Sequence, residues 1–278
     1  MKPAFKIIQD ESGSSDGHVL IELAHHSISI LWFKKDPLTV NAVSIYNFPD
    51  DIGNRTLIEN CRDVISENNI DNIANVQVFY NFKESILIPA EFMHRDIIEA
   101  QLNLLHGVPT TSVTGYDEML LEAGIGKEDK MYCVFRIPAG IRELVEEISS
   151  NKPRHSTSVQ VKLPGTSLMQ CTIFHNTLKM FLYSNSQLLI VQQYSYKTPA
   201  DVAYHLLNTC DKYDVSPIEV SLYIDGLIDS ESSLYQEIYK YFLHVHFSPV
   251  ADDIFLSPGI KEHPLHFISH LTELARCV

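Results

Sequence analysis

Histidines supply most of the obvious chemistry in this chain. His263, His266 and His270 fall at i, i+3 and i+7. On a helix that spacing puts imidazoles on one face, where they could share a transition metal, with Glu262 and Glu273 near enough to complete a ligand set. The competing reading is a polar stripe on a solvated terminal helix, with Pro264 leaving His263 outside it, and the sequence favours that one. His25-His26 sit in a tight turn, as acid/base groups or as exposed turn residues. His244 and His246 alternate with Leu243, Val245 and Phe247, which reads as a strand with one wet face. No serine has the GxSxG context of a nucleophile elbow, and no GxxxxGK[ST] phosphate loop occurs. Asp252-Asp253 is a lone acidic pair near Pro249, closer to a cap or loop element than to a metal site. Tyr235, Tyr239 and Phe242 recur at helical spacing, for burial against a sheet or for a partner.

The elements that must position these groups follow from periodicity. Residues 18–48 read as three short strands joined by tight turns, and residues 169–196 read the same way. Ile28, Ile30 and Trp32 alternate against Ser27, Ser29 and Leu31, which predicts a strand with one buried face. Each block is followed by a helix (about 53–68 and 199–212) and then by a strand (about 76–82 and 217–224). Thr198-Pro199 is a cap followed by proline at the first helical position. Between the blocks lie a strand at 85–89, a helix at about 94–105, a loop or irregular strand at 107–116, a strand at 130–137 and a helix from Pro138 to about 150. Residues 9–17 form a polar loop. Residues 149–168 are the boundary, with Pro153, Pro164 and Gly165 flanking a short strand at 159–163. The reading closes with a helix at 230–242, a strand at 243–247 and a last helix at about 264–276. Three antiparallel strands before each helix imply α/β architecture with mixed sheets.

At 278 residues the chain accommodates one large domain or two medium ones. Its 45% hydrophobic and 20% charged residues, with 13 Tyr and 13 Phe, supply a packed core. With 21 basic against 35 acidic residues the net charge is −14, which argues against nucleic-acid phosphates or an anionic membrane as the main partner. Cys61, Cys133, Cys171, Cys210 and Cys277 are scattered and never form CxxC, as reduced, mostly buried thiols would be. No run approaches the roughly 18–20 apolar residues of a membrane helix, and no signal-peptide run opens the chain. The expectation is a soluble, cytoplasmic protein.

Three hairpin-connected strands, then helix, strand and helix, given twice, resemble the actin-like ATPase superfamily (ribonuclease H-like architecture). The chain is also similar to a Bacteroidota family of unknown function with that fold. In the superfamily the first hairpin carries Asp and Gly, followed by hydroxyl residues that meet magnesium and phosphate. The corresponding stretch here is Glu22-Leu23-Ala24-His25-His26-Ser27, where only Ser27 fits. The second hairpin reads Thr172-Ile173-Phe174-His175-Asn176-Thr177, without a carboxylate and with Phe174 where backbone should approach phosphate. The paired glycine of the adenosine contact is reduced to Asp225-Gly226-Leu227.

The resemblance implies two lobes, residues 1–150 and 151–278, around a cleft lined by Glu22, His25, Ser27, Phe174, Asn176, Asp225 and Gly226. With all three nucleotide-contact motifs degraded, the expectation is a bacterial, non-catalytic interaction or scaffold protein. It would have no cofactor, no resident metal and an unidentified protein partner. The alternative is a divergent ATP-binding protein or phosphotransferase using Glu22, Ser27, Asn176, Asp225 and Gly226. A metal-dependent hydrolase rests only on the terminal histidines.

Overall fold

The structure is a computed structural model that describes residues 1–7, 17–70, 73–109, 111–119, 130–149, 151–159, 167–185 and 187–278. Nearly all of the polar loop expected at 9–17, and most of the strand expected at 159–163, lie outside the described residues.

The first sheet has seven strands. Its centre is the first repeated unit: β2 (His18–Leu23), β3 (Ser27–Lys34) and β4 (Thr39–Asn47), successively antiparallel. Helix α1 (Asn54–Glu67) then returns the chain, and β5 (Asn75–Tyr80) joins β2 in parallel. The second sheet repeats this plan with β10 (Leu168–Ile173), β11 (Thr177–Ser184), β12 (Gln187–Ser195), α4 (Pro199–Lys212) and β13 (Ser221–Gly226), which lies parallel to β10. Strand β14 (His244–Phe247), preceded by α5 (Ser233–Tyr239), adds in parallel to β13. Both units carry an irregularity late in their second strand, at Trp32/Phe33 and at Leu182/Tyr183. Such bulges sharpen local twist.

Local chemistry explains much of this. Thr198 Oγ1 accepts from Asp201 N–H while the Asp201 carboxylate accepts from Thr198 N–H, a complete capping box with Pro199 at the first turn. On α1, Leu57, Cys61, Val64 and Ile65 form the buried stripe its sequence shows.

Three features differ from the sequence reading. The segment between the repeats builds a separate antiparallel sheet, in which β8 (Met131–Pro138) lies between β6 (Ser85–Pro89) and β7 (Ser112–Glu118). It is flanked by α2 (Ile98–His106) and α3 (Ala139–Ile148). Secondly, β3 is buried on both faces. Ile28 and Ile30 pack with α1 and α3 residues Leu57, Ile141 and Leu144, while Leu31 and Phe33 join a second core. Thirdly, the chain returns at its C-terminal end to the first sheet. Strand β15 (Phe255–Leu256) pairs in parallel with β4 beside β1 (Phe5–Ile7), and α6 (Pro258–Lys261) and α7 (Ser269–Arg276) follow. Ile260, Ile268, Leu271 and Leu274 cover Leu20, Leu31, Phe33 and Phe79. This cover is what buries the face expected to be wet. Strand β9 (Arg154–His155) completes the first sheet beside β5.

Candidate functional site

The two hairpin turns are built alike. Ala24 N–H donates to Ser27 O (3.0 Å) in the first, and Phe174 N–H to Thr177 O (2.9 Å) in the second. They approach each other: Asn176 Nδ2 donates to Asp50 Oδ1 at 2.6 Å, at the end of the first unit. Between them and the three-stranded sheet lies a cleft of roughly 330 Å³, lined by His25, Ser27, Phe174 and Asn176 among others. A second cavity of roughly 160 Å³ lies on the far side of Phe174 and is bounded by Ser27, Ser29, His175 and Gly226.

Below the turns the space between the sheets is filled by side chains of the protein itself. Period-two alternation places Gln170, Thr172, Lys179 and Asp225 on one face of the second sheet, opposite the apolar face that packs on α4 and α5. Glu22 comes from β2, Ser156 from the turn after β9, and His270 from α7. Glu22 is 3% exposed, Lys179 5% and Asp225 0%. Lys179 Nζ donates to Ser156 Oγ at 2.6 Å. Gln170 Nε2 donates to Asp225 Oδ2 at 3.3 Å. His270 bridges the carboxylates, with Nε2 3.5 Å from Glu22 Oε2 and Nδ1 4.0 Å from Asp225 Oδ1. Only about 30 Å³ remains open here, enough for one or two waters.

Electrostatics in this cluster are internally balanced. Burial pushes the Glu22 carboxyl up, but His270, Lys179 and Ser156 together pull it down further, so it sits below its ordinary value. Burial lowers the Lys179 ammonium against the opposing pull of Glu22, Cys133 and Asp225. In the turn, burial, His26 and Lys83 hold the His25 imidazole below its ordinary value despite Glu84. Burial raises the Cys61 thiol to about 12 and the Cys210 thiol to about 11, which leaves neither as a thiolate near neutral pH.

The seven candidate residues therefore divide among three places. His25, Ser27, Phe174 and Asn176 line the large cleft, Glu22 and Asp225 belong to the buried cluster, and Gly226 borders the smaller cavity. Gly226 has φ +95°, and a Cβ there would stand 2.0 Å from Ile173 O. Its glycine identity is thus required by the neighbouring strand. Phe174 stands between the two open cavities, edge-on to His270 with ring centroids 5.6 Å apart.

The single helical face expected for His263, His266 and His270 does not form, because Pro264 is followed by a short 3₁₀ turn at Leu265–Phe267 before α7 begins. His263 packs on Phe5, His266 stacks on Phe247 at 3.8 Å with its Nε2 2.7 Å from Ile228 O, and His270 enters the cluster. Among the described residues no group of three or more His, Cys, Asp or Glu is arranged to hold a metal.

Lys179, Ser156 and Gln170 went unrecognised in the sequence. The available signal was a lone charge inside an apolar strand: Lys179 in TLKMFL, and likewise Glu22 in VLIELA.

Two mixed sheets of matching strand order, with paired hairpin turns facing one cleft, define a protein of the actin-like ATPase fold. Solved structures agree. A Bacteroides thetaiotaomicron VPI-5482 protein with actin-like ATPase fold and unknown function is 16% identical, with a TM-score of 0.68 over 84% of this chain and 91% of that one. The PilM–PilN type IV pilus biogenesis complex contains a chain 11% identical, with a TM-score of 0.59 over 92% of this chain and 96% of that one. The cytoplasmic domain of EpsL, an inner membrane component of the Vibrio cholerae type II secretion system, is 10% identical, with a TM-score of 0.50 over 93% and 94%. At these identities what is shared is the fold. Residues 10–245 match the sequence profile of the family described as protein of unknown function (DUF3822), and the chain belongs to that family. Against curated proteins the chain has no match.

Proposed function

We propose that this is a bacterial, cytoplasmic, non-catalytic actin-like protein that acts as a protein-interaction scaffold. Its two lobes would be those of the two repeated units, with residues 250–278 packed onto the first. The observation that carries the reading is the filled space beneath the turns. Lys179 supplies the positive charge for Glu22 and Asp225 that a bound metal would otherwise supply, and the roughly 30 Å³ left beside them holds water rather than a phosphate group, so a nucleotide would be confined to the open cavities at the turns. Catalysis of phosphoryl transfer depends on a positioned metal and a cradle for charged oxygens, and the first turn has Ala24 and His25 in place of the glycine and hydroxyl expected of one.

Two things support the interaction role. The relatives of the same fold include PilM, solved with PilN, and EpsL of a secretion system. The α2 segment also exposes apolar side chains: Leu104 is 85% exposed, Leu105 68% and Val108 82%. Clustered exposed apolar groups mark interaction sites. Among the described residues no helix is long and apolar enough to cross a membrane.

A divergent ATP-binding protein or phosphotransferase is the second reading. It is favoured by the 160 Å³ cavity bounded by Ser27, Ser29 and Gly226. Titration calorimetry with Mg-ATP separates the two. Silence at millimolar nucleotide is the expected result, and micromolar binding would reverse the order.

A further inference from the structure

The two repeated units differ at one sheet edge. In the first, the outer edge of β4 is occupied: β1 pairs antiparallel with residues 43–45, and β15 pairs in parallel with Thr39 and Val40. In the second, β12 holds the equivalent place and is likewise nine residues long. Among the described residues no strand pairs with its outer edge.

Alternation fixes which main-chain groups that edge presents. Tyr196 N–H donates to Asn176 O at 2.9 Å, and the register runs without a shift from Thr177↔Ser195 to Leu182↔Ile190. Tyr194, Gln192 and Ile190 therefore turn their N–H and C=O groups toward β11, and Gln193 and Val191 turn theirs outward. Among the described residues nothing meets these outward groups. The bulge opposite Leu182/Tyr183 lies near the start of β12 and leaves the stretch beyond Ile190 regular.

Long edges are normally blunted by lysine, by proline or by being short. The β12 sequence, QLLIVQQYS, has neither a charged residue nor a proline, and Leu189 on it is 37% exposed. Its neutrality bears on what can dock there. The chain carries a net charge of −14, so two copies meeting through an average part of their surfaces repel. Along β12 they meet with no like charges opposed. Val191 is the middle residue of Gln187–Ser195, and its outward groups allow it to exchange both N–H to C=O bonds with its own copy across a two-fold axis, as an isologous contact requires.

We propose that β12 is a dimerisation edge: two copies of this chain pair their β12 strands antiparallel about a two-fold axis at Val191, which merges their five-stranded sheets into one. The proposal is independent of the scaffold reading. Mg-ATP binding tests that reading, and the outcome there leaves this one unchanged.

The test is sedimentation velocity on the full chain at micromolar concentration. The unaltered chain sediments with the mass of two chains, against 31.6 kDa for one. Val191→Lys sets two like charges face to face and returns the one-chain mass, as does Val191→Glu. Mixing the two variants restores the two-chain species, because the charges at the axis are then opposite. A one-chain mass for the unaltered chain overturns the proposal. So does a two-chain mass that survives in either variant alone, or a mixture that stays at the one-chain mass. Amide hydrogen exchange in the unaltered chain supplies a reading that stands whether or not the variants fold. Exchange at Val191 and Gln193 slows severalfold as concentration rises and the two-chain species fills, while Gln192, already bonded to β11, keeps its rate. Unchanged rates at Val191 and Gln193 overturn the pairing.

Discussion

Lys179 holds together a cluster whose members come from five separated stretches of chain. Its charge offsets Glu22 and Asp225, both of which are buried with it. Lys179→Met keeps the volume and removes the charge. We expect a loss of about 3–5 kcal/mol in guanidinium melts at pH 7, the usual cost of stranding a buried charge. The loss should shrink as the pH falls and Glu22, no longer beside Lys179, takes up a proton. His155 sets a second pH dependence. Burial pushes its imidazole down to about 3 from an ordinary 6.5. The unfolded chain therefore binds a proton below pH 6.5 that the folded chain refuses until near pH 3. Stability falls as pH drops through that window, by on the order of 4–5 kcal/mol in full. His155→Gln, which can still donate to Phe82 O and accept from Thr157 N–H, should flatten the decline measured by denaturant melts between pH 7 and 4. Residue roles were only half legible beforehand. The residue types at Glu22, Ala24 and Phe174, from which the proposed loss of phosphate binding is argued, are read directly from the sequence. The partnership of Glu22 with Lys179 is not, because neither position announces which distant strand it will face.

Elements were the most legible scale. The repeated three-strand units, the α1 stripe and the Thr198-Pro199 start of α4 arise from contacts within a few residues, so local pattern specifies them. The helix expected at 230–242 is shorter, Ser233–Tyr239, with Phe242 buried and Tyr239 57% exposed beyond its core-facing side. The strand with His244 and His246 outward formed as its alternation implies. Exposure of α2 was not legible, since Leu104 and Leu105 are apolar residues inside a helix and nothing in the local sequence marks them as uncovered. Changing both to Lys tests whether that face serves a partner. Surface substitutions of this kind usually cost within about 0.5 kcal/mol, so the thermal melt should hardly move. Proteins captured from a lysate by the unaltered chain should be lost, and capture of the same proteins by both chains would remove α2 from the interaction.

At the scale of the molecule, the C-terminal return is decisive. Residues from Ile254 onward bury Leu20, Leu31 and Phe33 of the first sheet and bring His270 to Glu22. Deleting residues 250–278 uncovers that face and removes β15 from beside β4. We expect the shortened chain to lose near-UV circular dichroism and to elute as aggregate in gel filtration, because the exposed core is far larger than a soluble monomer carries. The sequence by itself determined the two repeated units and their mixed sheets, both consequences of short-range periodicity and residue type. Tertiary structure alone decided that the inter-sheet space is occupied by Lys179 and its carboxylates, and that three terminal histidines part company. Those outcomes depend on which distant strands and helices meet, and a period of two or 3.6 residues carries no record of that.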